Sequence, residues 1–386
     1  MATVVPNLDE VAVIQTNNLA YQDWETVMVQ HRWMEPFPLF EFSATEPGIE
    51  PKTVSQILFN VGQRVKIMLG GIQAIDGVIT IRQSAEDKER HGLQLIGKGY
   101  SWQTAKSSIR EPHDFSGQGI IEIARTIAGE VGVNVKTYGA VNNAPFPTDA
   151  ASPGEPAFDF LDIRCRQRGV ILGSDEFGNL LLIGKHTPEP GGDLINDKNG
   201  NIERINVIIS NETVFANYFA TGQVAGNDQI NGEAAAQMVA GPIAGSDPNP
   251  ANLVAQSEVA DTVAGLQTRA ADEARYHDAT QIRITCSVQG WKQKQGDSKG
   301  DLWRVGHGYR VFAPEHLPVP WNGRVYSAQT VTFQQDDENG TITTLELVLP
   351  WLLNGNLFQV GLPTLPSPSD TVTFGGSYPP IQSPQP

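Results

Sequence analysis

The clearest pattern along this chain lies at residues 281–350. Ile282, Ile284, Cys286 and Val288 alternate with Arg283, Thr285, Ser287 and Gln289, the period-two signature of a strand with one buried face. Asp301-Leu302-Trp303 leads into a strand at 309–312, and Arg324-Val325-Tyr326 precedes another at 329–333. Asp336-Asp337-Glu338-Asn339-Gly340 reads as a hairpin turn into a long strand at 341–349, which Pro350 stops. So many strands with short connections predict a small antiparallel barrel.

Residues 8–103 carry a similar order. Strands are predicted at 11–15, 24–33, 40–42, 65–69, 75–81 and 92–97, with Gly70-Gly71 as a turn and the charged run 84–90 as a solvated loop. The succession resembles that of 281–350 and predicts a second, related barrel.

Between about 105 and 190 the period changes. Ile120, Ile123, Ala124, Ile127 and Val131 fall at helical spacing, with Gly132 at the C-terminal cap. Val133 and Val135 resume as a strand, and 142–156 is a loop rich in Pro, Ala and Ser. Residues 156–168 predict a second helix, started by Pro156 and stopped by Gly169. A hairpin follows, from Val170-Ile171-Leu172 through Asp175-Glu176-Phe177-Gly178-Asn179 to 180–183. This is a small α+β domain set between the barrels.

Residues 204–223 are strand-like again, in Val207-Ile208-Ile209 and Val214-Phe215-Ala216-Asn217-Tyr218-Phe219. Gly, Ala, Asn and Pro dominate 224–256, which reads as a long loop or arm. A helix is expected over 258–276. The resulting plan is mainly β with an α+β insertion: a first barrel at 1–104, an α+β domain at 105–190, a second barrel at 191–355, and a Pro/Ser/Gly-rich tail at 356–386.

Composition narrows the functional classes. In 386 residues, 27 basic against 43 acidic side chains leave a formal charge of −16, which repels nucleic acid. Cys165 and Cys286 both lie in apolar patterns and read as buried free thiols. No run approaches the ~20 apolar residues of a membrane span, and residues 1–7 lack a secretory pattern.

Candidate chemistry is sparse. There is no dinucleotide glycine pattern, phosphate loop or Gly-x-Ser-x-Gly elbow. The histidines at 31, 91, 113, 186, 277, 307 and 316 are scattered; His307 and His316 are the nearest pair, with a proline-containing loop between them. Asp336-Asp337-Glu338 has the residue types for acid–base work or cation binding, but its place before Asn339-Gly340 favours a hairpin tip. Asp197-Lys198-Asn199-Gly200-Asn201 hints at a calcium loop with glycine at the wrong position, and a turn fits better. His113-Asp114 lacks a neighbouring nucleophile and reads as a loop or cap. The tryptophans at 24, 33, 102, 291, 303, 321 and 351 come without a basic stripe, so core and interface anchoring outweighs strand stacking. The reading assigns no catalytic, cofactor-binding or metal residue.

Three stretches carry a family resemblance. The first runs from Gly77-Val78-Ile79-Thr80-Ile81 to Leu93-Gln94-Leu95-Ile96-Gly97-Lys98-Gly99 and the Gly-Tyr-Ser-Trp exit. The second is 158–183, with Arg168-Gly169-Val170 and Asp175-Glu176-Phe177-Gly178-Asn179-Leu180. The third joins Val288-Gln289-Gly290-Trp291 to Gly300-Asp301-Leu302-Trp303, then 319–325 and the hairpin ending at Pro350. In this order they resemble the baseplate hub proteins of contractile-tailed phages, especially the Mu type, and the related spike proteins of type VI secretion. The resemblance implies a structural, non-enzymatic homotrimer in the virion tail, assembled in the host cytoplasm. In it, two barrels per chain make a pseudo-six-fold ring. The implied partners are the tail tube protein, the central spike protein and other baseplate proteins, with no tight nucleic-acid binding. Two rivals stand beside it: a carbohydrate-binding tail module using exposed tryptophans, and a cell-envelope-degrading tail enzyme, which needs ~100 or more additional residues.

Overall fold

The computed structural model describes residues 8–16, 20–47, 59–86, 90–110, 114–223, 232, 237–257, 262–293, 300–319 and 321–355. The first part holds β1 (Ala12–Gln15), β2 (Ala20–Tyr21), β3 (Thr26–Arg32), β4 (Leu39–Pro47), β5 (Arg64–Leu69), β6 (Ile72–Glu86) and β7 (Arg90–Gly99). The charged stretch read as a loop is largely strand: β6 runs to Glu86 and β7 starts at Arg90, paired as Glu86↔His91. Residues 87–89 lie outside the described residues. Composition alone does not distinguish a charged strand from a loop.

The middle part holds α1 (Trp102–Lys106), α2 (Ile120–Gly129), β8 (Val135–Tyr138), α3 (Ala157–Gln167), β9 (Ile171–Ser174) and β10 (Leu180–Ile183). Both longer helices lie where the helical spacing placed them. Gly132 and Gly169 take φ of 71° and 62°, the left-handed conformation expected after a helix. β10 pairs parallel with β8 and antiparallel with β9 in a separate sheet. A distinct apolar cluster, with Ile123, Ile127, Phe160, Leu161, Cys165 and Leu182, binds these elements together. Inside it, the Arg164 guanidinium meets Asp149 at 2.6 Å and lies 3.3 Å over the Phe160 ring.

The last part holds β11 (Pro190–Ile195), β12 (Ile202–Ile209), β13 (Asn217–Gly222), β14 (Met238–Ala244), β15 (Asn252–Gln256), α4 (Val263–Ala279), β16 (Ile282–Gln289), β17 (Gly308–Phe312), β18 (Val325–Asp336) and β19 (Gly340–Val348). A 3-10 turn at Pro350–Leu353 follows. The expected loop at 224–256 is corrected in its described part. β14 and β15 flank β13 in a three-stranded sheet packed on α4 through Ala220, Ala240, Leu266 and Ala270. The fully buried positions of the two later strands are few and small, and Gly241-Pro242 interrupts the alternation of β14; residues 224–231 and 233–236 lie outside the described residues. Thr262 caps α4, its Oγ1 accepting from Gly265 N at 3.0 Å; residues 258–261 of the expected helix lie outside the described residues.

The two predicted barrels are not separate closed units. Thirteen strands form one sheet along the open path β12-β16-β19-β18-β3-β4-β7-β6-β5-β1-β2, with β17 and β11 branching from β18. The halves join where β18 pairs with β3, from Thr330↔Arg32 to Gln335↔Val27. A single apolar core runs through both, including Phe40, Phe42, Ile79, Trp291, Tyr309 and Leu347. Period-two patterning tells which face of a strand is buried but not which strand is its neighbour. The two strands expected at 324–326 and 329–333 are one, β18, with a bulge between Ala328 and Thr330 that re-aims its faces.

Candidate functional site

A cavity of about 460 Å³ lies where the α+β unit meets both halves of the long sheet. The β9–β10 turn forms one wall. Asp175 shapes it, its Oδ1 accepting from Phe177 N at 3.0 Å and Asn179 N at 2.9 Å. Gly178 has φ 77°, and a Cβ there would meet the Tyr100 side chain and the Asp76 carbonyl. This tight fit holds Glu176 against both sheet halves. Gln73 Nε2 of β6 donates to the Glu176 carbonyl at 2.8 Å, and Arg304 Nη1 donates to Glu176 Oε1 at 3.0 Å.

Arg304 also grips Asp301 through Nε and Nη2, at 2.8 and 3.1 Å. Across the cavity Lys136 Nζ pairs with Asp175 at 2.9 Å. Both cations are thus engaged by three of the four lining carboxylates. The fourth, Glu189, lies 3.3 Å from the Tyr138 hydroxyl and 3.7 Å from His307 Nε2.

Three histidines sit around this junction, and all are pushed toward the neutral form. Burial lowers His31 to about 4, with Arg304 adding and a hydrogen bond to the backbone of Ala74 opposing. Burial likewise lowers His307 and His186, in both cases against the pull of Glu189. Neutral imidazoles between ion pairs suit a packed junction. No activated nucleophile faces them: burial raises the Cys286 thiol to about 12 and the Cys165 thiol well above its ordinary value, and neither lines the cavity. Among the described residues no group of three His, Cys, Asp or Glu could hold a metal ion.

The acidic clusters weighed from sequence are turns. Asp336 Oδ1 accepts from Glu338 N and Asn339 N at the β18–β19 tip, and Asp197 Oδ1 accepts from Asn199 N at 2.8 Å. Asp114 Oδ1 accepts from Ser116 N at 2.9 Å, while His113 lies outside the described residues. His307 and His316 are not brought together: only His307 lines the cavity. Trp33, Trp291 and Trp303 are buried, and the other four tryptophans are half-buried, so none stands fully exposed. Arg304 and Glu176 were not singled out from sequence, since nothing in either segment signals a contact across 128 positions.

Surface features point to association. β12 is an edge strand carrying Ile208 at 52% and Ile209 at 47% exposure. Unpaired backbone beside exposed apolar side chains is a site for adding another chain.

The molecule is therefore a mainly β protein, one long sheet clamped around an α+β insertion, with no helix among the described residues long and apolar enough to cross a membrane. Residues 106–184, the α+β insertion, match the family described as baseplate hub protein gp44-like, second domain. The whole fold is similar to the 43 kDa tail protein of prophage MuSo2 from Shewanella oneidensis, with a TM-score of 0.72 and 20% identity over 90% of this chain and 100% of that one. A tail protein from Neisseria meningitidis MC58 aligns at 0.71 and 18% identity, over 89% of this chain and 98% of the other. The E. coli c3393 protein, a type VI secretion component with structural similarity to the T4 tail proteins gp27 and gp5, aligns at 0.56 and 11% identity, covering 91% and 80%. No curated protein matches the sequence.

Proposed function

We propose that this chain is a structural baseplate hub of a contractile phage tail. The observation that carries the reading is the hub-family match of 106–184 inside a chain that aligns nearly end to end with phage tail proteins. The chain acts as a homotrimer, placing six similar sheet halves around one axis between a six-fold tail tube and a three-fold spike. The tube protein, the spike protein and other baseplate proteins are its partners, within a virion assembled in the host cytoplasm. Support for self-association comes from the open edge at β12 and its exposed Ile208 and Ile209. The division into 1–104, 105–190, 191–355 and a tail at 356–386 fits this plan. The separate apolar cluster between Ile109 and Leu182 supports the insertion.

The role is non-enzymatic, in keeping with a junction where three of the four lining carboxylates are held in ion pairs. The acidic excess suits a conduit that must not hold DNA: three copies of −16 carry roughly −48.

Light scattering on the full chain tests the reading. A mass near three times 41.9 kDa is expected, and a monomer at micromolar concentration overturns the hub. Clearing of a bacterial cell-wall suspension, lost on changing one carboxylate, overturns the non-enzymatic role.

A further inference from the structure

A second groove, of about 330 Å³, lies on another face, between the end of α3, the C-terminal half of α4 and the 3-10 turn at Pro350–Leu353. Met34, Val170, Leu172 and Trp351 contribute apolar surface, and Tyr276 stands at its border with 44% of its surface exposed. The groove is rigidly framed: Asn354 Nδ2 donates to the Gly169 carbonyl at 2.8 Å and to the Ile183 carbonyl at 3.1 Å.

Its lining charges balance, three carboxylates against three arginines, but Lys185 reaches in from outside the lining to pair with one of the carboxylates and leaves a cation over. Asp162 pairs with Arg166 at 3.1 Å, Asp272 with Lys185 at 3.3 Å, and Glu273 with Arg269 at 2.5 Å and His277 at 3.7 Å. Each lining carboxylate thus has its own cation. Arg275, half-buried in the same wall, has no hydrogen-bond or ion-pair partner among the described residues. A partly desolvated guanidinium gains most from a planar carboxylate, which it can bind through two parallel N–H bonds. The apolar surroundings favour an occupant that brings its own apolar side chains.

We propose that this groove docks a segment of a partner protein that combines apolar side chains with a carboxylate. The carboxylate pairs with Arg275, and the apolar side chains cover Tyr276 and Trp351. A single ion pair in an apolar frame sets the register of such a segment, while the covered rings supply the area. The site goes beyond the assembly reading and does not depend on it, since solution mass reports on one and peptide binding on the other.

The test is calorimetric titration of the full chain with two peptides, acetyl-Leu-Phe-Asp-Leu-amide and its Asn counterpart. The Asp peptide is expected to bind about tenfold more tightly. Arg275→Gln should erase that preference, and Tyr276→Ala should weaken both peptides while keeping it. Equal affinity of the two peptides for the unchanged protein overturns the proposal, as does a preference that survives Arg275→Gln or an absence of binding at millimolar peptide. Binding that emerges only in a chain ending at Gly355 also overturns it, because the groove would then belong to the protein's own residues 356–386.

Discussion

Arg304 Nη1 lies 3.0 Å from Glu176 Oε1, and the same guanidinium closes a fork on Asp301. This contact ties the α+β insertion to the second half of the long sheet, while Gln73 ties the same turn to the first half. One glutamate therefore holds three parts of the chain in register.

Arg304→Ala should lower unfolding stability by about 1 kcal/mol, because it leaves the half-buried Glu176 carboxylate without its donor, while the exposed Asp301 keeps the Leu302 N–H. Arg304→Lys should recover only part of this, since one ammonium cannot reproduce the planar fork. Urea unfolding of the full chain measures both. An Arg304→Ala midpoint equal to that of the unchanged protein would show the clamp to be passive.

The Arg164–Asp149 pair predicts a larger effect. Both side chains are almost fully buried, and Arg164 Nε and Nη2 both reach the carboxylate. Asp149→Ala strands a buried cation and should cost about 3–5 kcal/mol. Asp149→Asn retains a hydrogen-bond acceptor and should cost less. Thermal unfolding ranks the two, and a neutral Asp149→Ala contradicts the pairing.

Acid should loosen the junction. His31, His186 and His307 bind protons less readily in the folded chain than in the unfolded one, so the unfolded state takes up more protons as pH falls. The stability they confer by staying neutral is full above the unfolded value near 6.5. It falls steadily below that, for His31 down to about 4. His31→Gln should flatten the decline of the melting temperature between pH 6.5 and 4. A profile as steep as that of the unchanged protein would remove His31 from this account.

Gly97 predicts an overpacking defect. It sits on β7 facing the Phe40 ring and the Val78 carbonyl, and a Cβ there would overlap both. Gly97→Ala should lower stability by about 1–3 kcal/mol. Gly92, on the same strand, is the control, since a Cβ there would make only an ordinary contact with the Ala85 carbonyl at 3.9 Å: Gly92→Ala should leave the urea midpoint nearly unchanged.

Much of this protein is determined by local pattern. The alternation from Ile282 to Gln289 places every second side chain in the core, and the structure buries those four. Pro156 and Gly169 bound α3, and the Asp336–Gly340 turn joins β18 to β19, because φ preferences and side-chain hydrogen bonds act within a few residues. Cys165 and Cys286 are buried free thiols for the same reason of apolar periodicity.

Tertiary structure alone decided the rest. Strand neighbours depend on edges meeting across the chain, so nothing in residues 26–32 announces that β3 pairs with β18 and merges two expected barrels into one sheet. Of the sheet at 217–256 only the first strand is legible in sequence; β14 and β15 lie in a Gly/Ala/Pro-rich stretch, and the positions buried against α4 are largely alanines. Arg304 with Glu176, and Arg275 without a counter-ion among the described residues, are properties of three-dimensional placement. A charge is paired or left over according to which surfaces fold against it, and that cannot be read from its own neighbours in sequence.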